Sequence, residues 1–159
     1  MLELALKIPL VALIFASVPL AIIDIRQHRL PNLYTYPLAV LALIGTLIAS
    51  FISGDWIRFL TALAINLLIA GVGVLLWILK GFGLGDVKLL LSMVQILGYF
   101  SPWLVPAVLA IALISAAVVG SLCVLFGSLK WKDRIAFGPF LILGYAVCSV
   151  PLIAGPTPY

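Results

Sequence analysis

Asp86 sits in Gly81-Phe82-Gly83-Leu84-Gly85-Asp86-Val87-Lys88-Leu89-Leu90, a glycine-rich break between two long apolar runs. A charge held among apolar runs must face a polar or watery interior. In a chain with only five acidic residues, such a carboxylate marks chemistry or transport. A second carboxylate, Asp24, closes the first apolar run and leads into Ile25-Arg26-Gln27-His28-Arg29-Leu30-Pro31-Asn32. Two carboxylates at one depth permit acid-base hydrolysis: one draws a proton from water while the other, kept protonated by like-charge proximity, polarises a carbonyl. Such a pair titrates as a unit. Gly81, Gly83 and Gly85 give a backbone turn without side-chain bulk and leave room beside Asp86 for a helix or an extended chain.

Plainer roles stand beside these. Asp86 before a helix can serve as an N-cap, and Asp24 can be a solvated residue at a helix end. Lys88 follows Asp86 by two positions, off its helical face, and reads as an anchor with an electrostatic contribution to the site. His28 is a lone histidine in a basic loop and takes no role. Asp133 lies between Lys132 and Arg134 as a surface ion-pair residue, Asp55 belongs to a turn, and Asn66 falls mid-span as an interhelical hydrogen bonder. Cys123 and Cys148 fall within apolar runs without a neighbouring histidine or second thiol, so they read as packing residues. Neither disulfide nor metal site is expected.

The elements that must position the aspartates follow from composition. The 159 residues are 65% hydrophobic and 9% charged, with mean hydropathy +1.35, far from a soluble domain. Apolar runs of about 20 residues recur along the chain, the length a helix needs to cross a bilayer. They are apolar on every face, which excludes the alternation of a membrane barrel. The expectation is an all-α polytopic membrane protein forming a single unit over residues 1–159. It has about six spans: Leu4 to Ile23, Leu33 to Ile52, Trp56 to Leu79, Asp86 or Val87 to Tyr99, Pro102 to Phe126, and a last one ending near Ala154. The first resembles a signal peptide but carries Glu3 beside Lys7 and lacks a clear cleavage site, so it is expected to be retained. The fourth is short. Its roughly 14 residues rise only about 21 Å, which implies a start below the surface or a thinned bilayer. Tyr34 and Trp56 fit interface anchors.

Net charge +4 and pI ≈ 9.3 could suggest nucleic acid, but the basic residues are dispersed over short loops and read as topology signals; no nucleic-acid partner is expected. Arg26, Arg29, Lys80, Lys88, Lys130, Lys132 and Arg134 fall on one side, leaving Lys7 and Arg58 for the other. That bias places both termini outside and both aspartates at the cytoplasmic ends of their spans, where they can meet. A coupled transporter using the same acids would place them deeper and show repeat symmetry, which the sequence lacks. A non-catalytic assembly subunit would use them as helix caps alone.

Three stretches together resemble the type IV prepilin peptidases: Gly83-Leu84-Gly85-Asp86 with Val87-Lys88-Leu89-Leu90, Asp24 with Arg29-Leu30-Pro31-Asn32, and Phe137-Gly138-Pro139-Phe140. The resemblance implies an aspartic endopeptidase of the bacterial inner membrane, active at its cytoplasmic side without a cofactor. Asp24 and Asp86 would be the catalytic carboxylates, and Gly83, Gly85, Lys88, Gly138 and Pro139 would support the site or hold substrate. The implied substrate is a prepilin or pseudopilin whose basic leader ends just before a hydrophobic helix. Larger bifunctional members carry a cytosolic region with paired Cys-x-x-Cys zinc sites and N-methylate the new terminus. This chain has no such pairs and looks like the minimal form used with Flp or Tad-type pili, so neither zinc nor methyl transfer is expected. Ala136 stands where many relatives have proline.

Overall fold

The computed structural model describes residues 1–27, 32–79, 83–126 and 136–155. Among these residues the chain is all helical: α1 (Leu2–Gln27), α2 (Asn32–Ser53), α3 (Trp56–Ile78), α4 (Leu84–Phe100), α5 (Leu104–Leu125) and α6 (Gly138–Ala154). Four of them, α1, α2, α3 and α5, are long and apolar enough to cross a membrane. The two shorter ones, α4 and α6, have 17 residues each. His28, Arg29, Lys80, Gly81, Asp133 and the rest of the third basic loop lie outside the described residues.

The α2–α3 turn shows how the sequence ends one helix and starts the next. Gly54 adopts φ 74°, a left-handed conformation that glycine takes without a side-chain penalty, and its N–H donates to the Ser50 carbonyl. Asp55 then caps α3 by accepting from the Arg58 N–H at 3.2 Å, and the Arg58 guanidinium meets the same carboxylate at 2.8 Å. Trp56 packs edge-on against Phe51 across the turn.

Two helix boundaries beside the aspartates differ from the sequence expectation, and both matter. α1 continues past Asp24 to Gln27, so Asp24 is a helical residue and not a loop residue. α4 starts at Leu84, so Asp86 occupies the third helical position while Gly83 is the N-cap. Asp86 is therefore not a helix cap. At the other end Pro102 precedes α5, which opens at Leu104.

α4 is the centre of the bundle, packing against each of the other five helices. Twelve of its residues, from Val87 through Phe100, are buried. This gives its moderate length a physical reason: surrounded by protein, it has little lipid to face. The outer faces are apolar instead, with Leu67, Leu68, Leu75 and Ile78 of α3 exposed, while polar groups turn inward. Asn66 of α3 donates to the Leu91 carbonyl at 3.2 Å and to Gln95 Oε1 at 3.0 Å, and Gln95 Nε2 donates to Thr46 Oγ1 at 3.1 Å. Ser50 pairs with the Tyr99 hydroxyl at 3.3 Å. The interhelical role expected of Asn66 is thus observed, with Gln95 as a partner that sequence reading did not single out. Apolar outside and polar inside is the pattern a lipid-facing bundle requires.

Small residues let the backbones close in. Pro9 has no N–H to offer the Ala5 carbonyl, and Gly45 of α2 brings its Cα against that same carbonyl; a Cβ there would lie 2.6 Å from the oxygen. Gly144 of α6 meets the Val108 carbonyl of α5 in the same way.

Gln95→Leu removes the hub that joins α2, α3 and α4. It is expected to lower stability by about 1 kcal/mol, the usual worth of interhelical hydrogen bonds in membranes, read as a lower unfolding midpoint in detergent micelles.

Candidate active site

The buried face of α1 is a stripe of Leu6, Leu10, Leu13, Ser17, Leu20 and Asp24, spaced four and three apart as one side of a helix requires. Asp24 occupies the next position of an apolar stripe and is only 5% exposed. A carboxylate buried there needs a donor. α6 supplies it: the Gly138 N–H donates to Asp24 Oδ2 at 3.1 Å. Gly138 opens α6, whose own N-cap, Phe137, offers no side-chain hydrogen bond, so an orphan donor of one helix is satisfied by an acid from another. The positive end of the α6 dipole adds to the attraction.

Only glycine fits beneath that carboxylate. A Cβ on Gly138 would lie 2.5 Å from Asp24 Oδ2 and 3.1 Å from its carboxyl carbon. Pro139 follows at the second helical position, where its missing N–H leaves no intrahelical bond unmade.

Asp86 is half-buried in the first turn of α4 and close enough to Asp24 for the two charges to interact. Its Oδ2 stands 3.1 Å from where a Cβ on Gly83 would be. Gly83 has φ −79° and ψ 137°, an extended conformation open to any residue, so its role here is absence of bulk rather than the turn expected of it. Gly85 lies within α4, between Leu84 and Asp86, and so is likewise helical rather than part of a turn. The Lys88 ammonium stands 4.8 Å above the Tyr36 ring of α2. The structure thus brings Asp24, Asp86, Gly83 and Gly138 together at one end of the bundle, with Pro139 behind Gly138 and Lys88 to one side. Among the described residues, no three His, Cys, Asp or Glu side chains group as metal ligands, and both cysteines are free thiols.

Sequence reading missed the Asp24–Gly138 bond. Two signals carry it: the aspartate falls on the apolar stripe of α1, and α6 begins without a capping residue of its own.

A polytopic helical bundle with two acids drawn together at one end, from its first and fourth helices, is the class the geometry defines. Residues 10–125 match the type IV leader peptidase family, and the chain belongs to that family. The matched segment contains Asp24 and Asp86 and stops short of Gly138. The chain is also 32% identical over 140 residues to the prepilin leader peptidase/N-methyltransferase of Burkholderia pseudomallei, in strains 1026b and K96243. The alignment covers 82% of this chain and 42% of the relative, so the chain spans less than half the length of these curated relatives. No solved structure matches it.

Gly138→Ala is expected to destabilise by about 1–3 kcal/mol, the range for overpacking, which outweighs the small helix-propensity gain of alanine. Asp24→Ala in the same chain should relieve most of that loss. A double-mutant cycle of unfolding midpoints measures the coupling, and additivity would contradict the contact.

Proposed function

We propose that this chain is a membrane-embedded aspartic endopeptidase that removes the basic leader from prepilin-like precursors. The observation that carries the reading is the convergence of Asp24 and Asp86 at one end of the bundle, in a chain of the leader peptidase family. In the proposed reaction, the ionised carboxylate takes a proton as water adds to the scissile carbonyl, and the protonated carboxyl donates to the carbonyl oxygen. Collapse of the tetrahedral intermediate breaks the C–N bond: the proton held by the first carboxylate passes to the leaving amine, and a hydroxyl proton of the intermediate returns to the second carboxylate as the carbonyl re-forms. Neither a metal nor a cofactor has a step in this scheme.

The distribution of basic residues supports the site end of the bundle as the cytoplasmic end, with both termini outside, in the inner membrane of a bacterium. A pilin precursor would then lay its apolar helix in the bilayer and present its leader junction at the depth of the aspartates. Residues 1–159 are taken as one peptidase unit. Peptide cleavage is the activity assigned to them; the methyl transfer named for the longer relatives is not assigned to these residues. Gly83 and Gly138 keep the space against the two carboxylates clear of side chains, while Gly85, Lys88 and Pro139 support the first turns of α4 and α6.

One observation favours a second reading. The Asp24–Gly138 bond is what an assembly subunit using Asp24 only to dock α6 would need. The two separate on turnover: co-expression with a Flp-type prepilin, followed by gel mobility and N-terminal sequencing, is expected to show cleavage by wild type. Asp24→Asn and Asp86→Asn should each lose at least about a thousandfold in rate while still inserting and accumulating. Retained cleavage in either variant would sink the dyad.

A further inference from the structure

Among the described residues, Thr35 is the buried hydroxyl that the bundle leaves unanswered: it is 1% exposed, and its Oγ1 has no hydrogen-bond partner among them. A helix hydroxyl has a ready escape, bonding back to the carbonyl three or four residues upstream. Thr46 does so to Ala42, Thr61 to Ile57, Ser92 to Lys88 and Ser115 to Ile111. Among the described residues Thr35 makes no such bond, although threonine in a helix has a rotamer that allows it.

Its level in the bundle follows from the register of α2 against α4. Thr46 meets Gln95 and Ser50 meets Tyr99, each pair 49 residues apart. A constant separation over a full turn means that the two helices run parallel and level. The same offset sets Thr35 beside Leu84, in the first turn of α4, which also carries Asp86. The neighbouring residue agrees, since the Tyr36 ring lies under the Lys88 ammonium. Thr35 also continues the buried stripe of Leu38, Ala42, Thr46 and Ala49 on α2, so it faces the interior rather than lipid.

We propose that the Thr35 hydroxyl is a substrate-binding group of the same site, paired with a main-chain amide of the peptide being cut. The proposal rests on the peptidase reading above. A peptide bond open to hydrolysis lies in chain that is not closed into a helix, so its N–H and C=O need partners at membrane depth. A hydroxyl both donates and accepts, and serves either group. The same chemistry explains why the hydroxyl is unpaired in the free chain: a group committed to Asp86 or to its own helix would be unavailable to substrate.

The test uses Thr35→Val, which keeps the shape and removes the hydroxyl, and Thr35→Ser, which keeps the hydroxyl. Each is measured in the full chain in micelles, in two ways. Cleavage kinetics use a synthetic peptide spanning the leader junction and the first apolar residues of a Flp-type prepilin. Binding of that peptide is titrated in an Asp86→Asn background, where nothing is cut. Thr35→Val is expected to weaken binding and to lower kcat/KM by about tenfold, the worth of one buried hydrogen bond. Its unfolding midpoint should stay within about 2 °C of wild type or rise, because a group with no partner stabilises nothing in the free chain. Thr35→Ser should keep most of both activities.

Wild-type binding and cleavage in Thr35→Val would overturn the role of Thr35 and leave the peptidase reading intact. A large fall in its midpoint would overturn it as well, by revealing a structural partner. A wild-type chain that neither binds nor cuts the peptide removes the peptidase reading and this proposal together.

Discussion

The structure turns on one buried acid. Asp24 continues an apolar stripe on α1, where a carboxylate without a donor would be several kcal/mol out of place, and the first N–H of α6 answers it. The requirement runs both ways, because α6 begins at Phe137 and Gly138 with no capping side chain of its own. Neither helix is complete without the other. Residues far apart in sequence are thereby held in register at one end of the bundle, and that register brings Asp86 of the central helix within reach of Asp24's field.

The rest of the fold is arranged so that this end can be polar while the exterior stays apolar. With lipid outside, burial of apolar surface gives little reason for helices to associate, so close backbone approach and interhelical hydrogen bonds must do more. Gly45 against Ala5 and Gly144 against Val108 supply the first. The Asn66–Gln95–Thr46 chain and the Ser50–Tyr99 pair supply the second. α4 takes part in both pairings and touches every other helix, so a carboxylate in its first turn inherits a position fixed from all sides.

Much of this was legible in the sequence because bilayer thickness imposes a length and an all-round apolarity that few other constraints mimic. The helices, their approximate limits, the Gly54–Asp55 turn and the bonding role of Asn66 all follow from that local chemistry. The helix ends at the site did not. Asp24 looked like the start of a loop because charge conventionally ends a span, yet the spacing Leu13, Ser17, Leu20, Asp24 shows the helical face continuing through it. Asp86 looked like a cap because aspartate so often is one; Gly83 takes that position with no side chain to offer. The partner of Asp24 was beyond reach for a different reason. A bond between the end of the first helix and the start of the sixth is a tertiary fact, and the local sequence shows only its two incomplete halves.

These polar groups also divide along the bundle axis. Away from the site, buried polar side chains close on one another: Ser50 on Tyr99, Thr46 and Asn66 on Gln95. Near the carboxylates the pattern changes. Gly83 and Gly138 withhold side chains where any Cβ would press on an aspartate oxygen, Phe137 and Gly83 decline to cap their helices, and Thr35 leaves its hydroxyl unpaired. A bundle selected for stability alone would fill and satisfy that end as it does the other. Small residues, helix N-termini and an uncommitted hydroxyl at the level of two acids are instead what the proposed cleavage requires, because an extended peptide must find hydrogen-bond partners there, while the closed network beyond holds the carboxylates still.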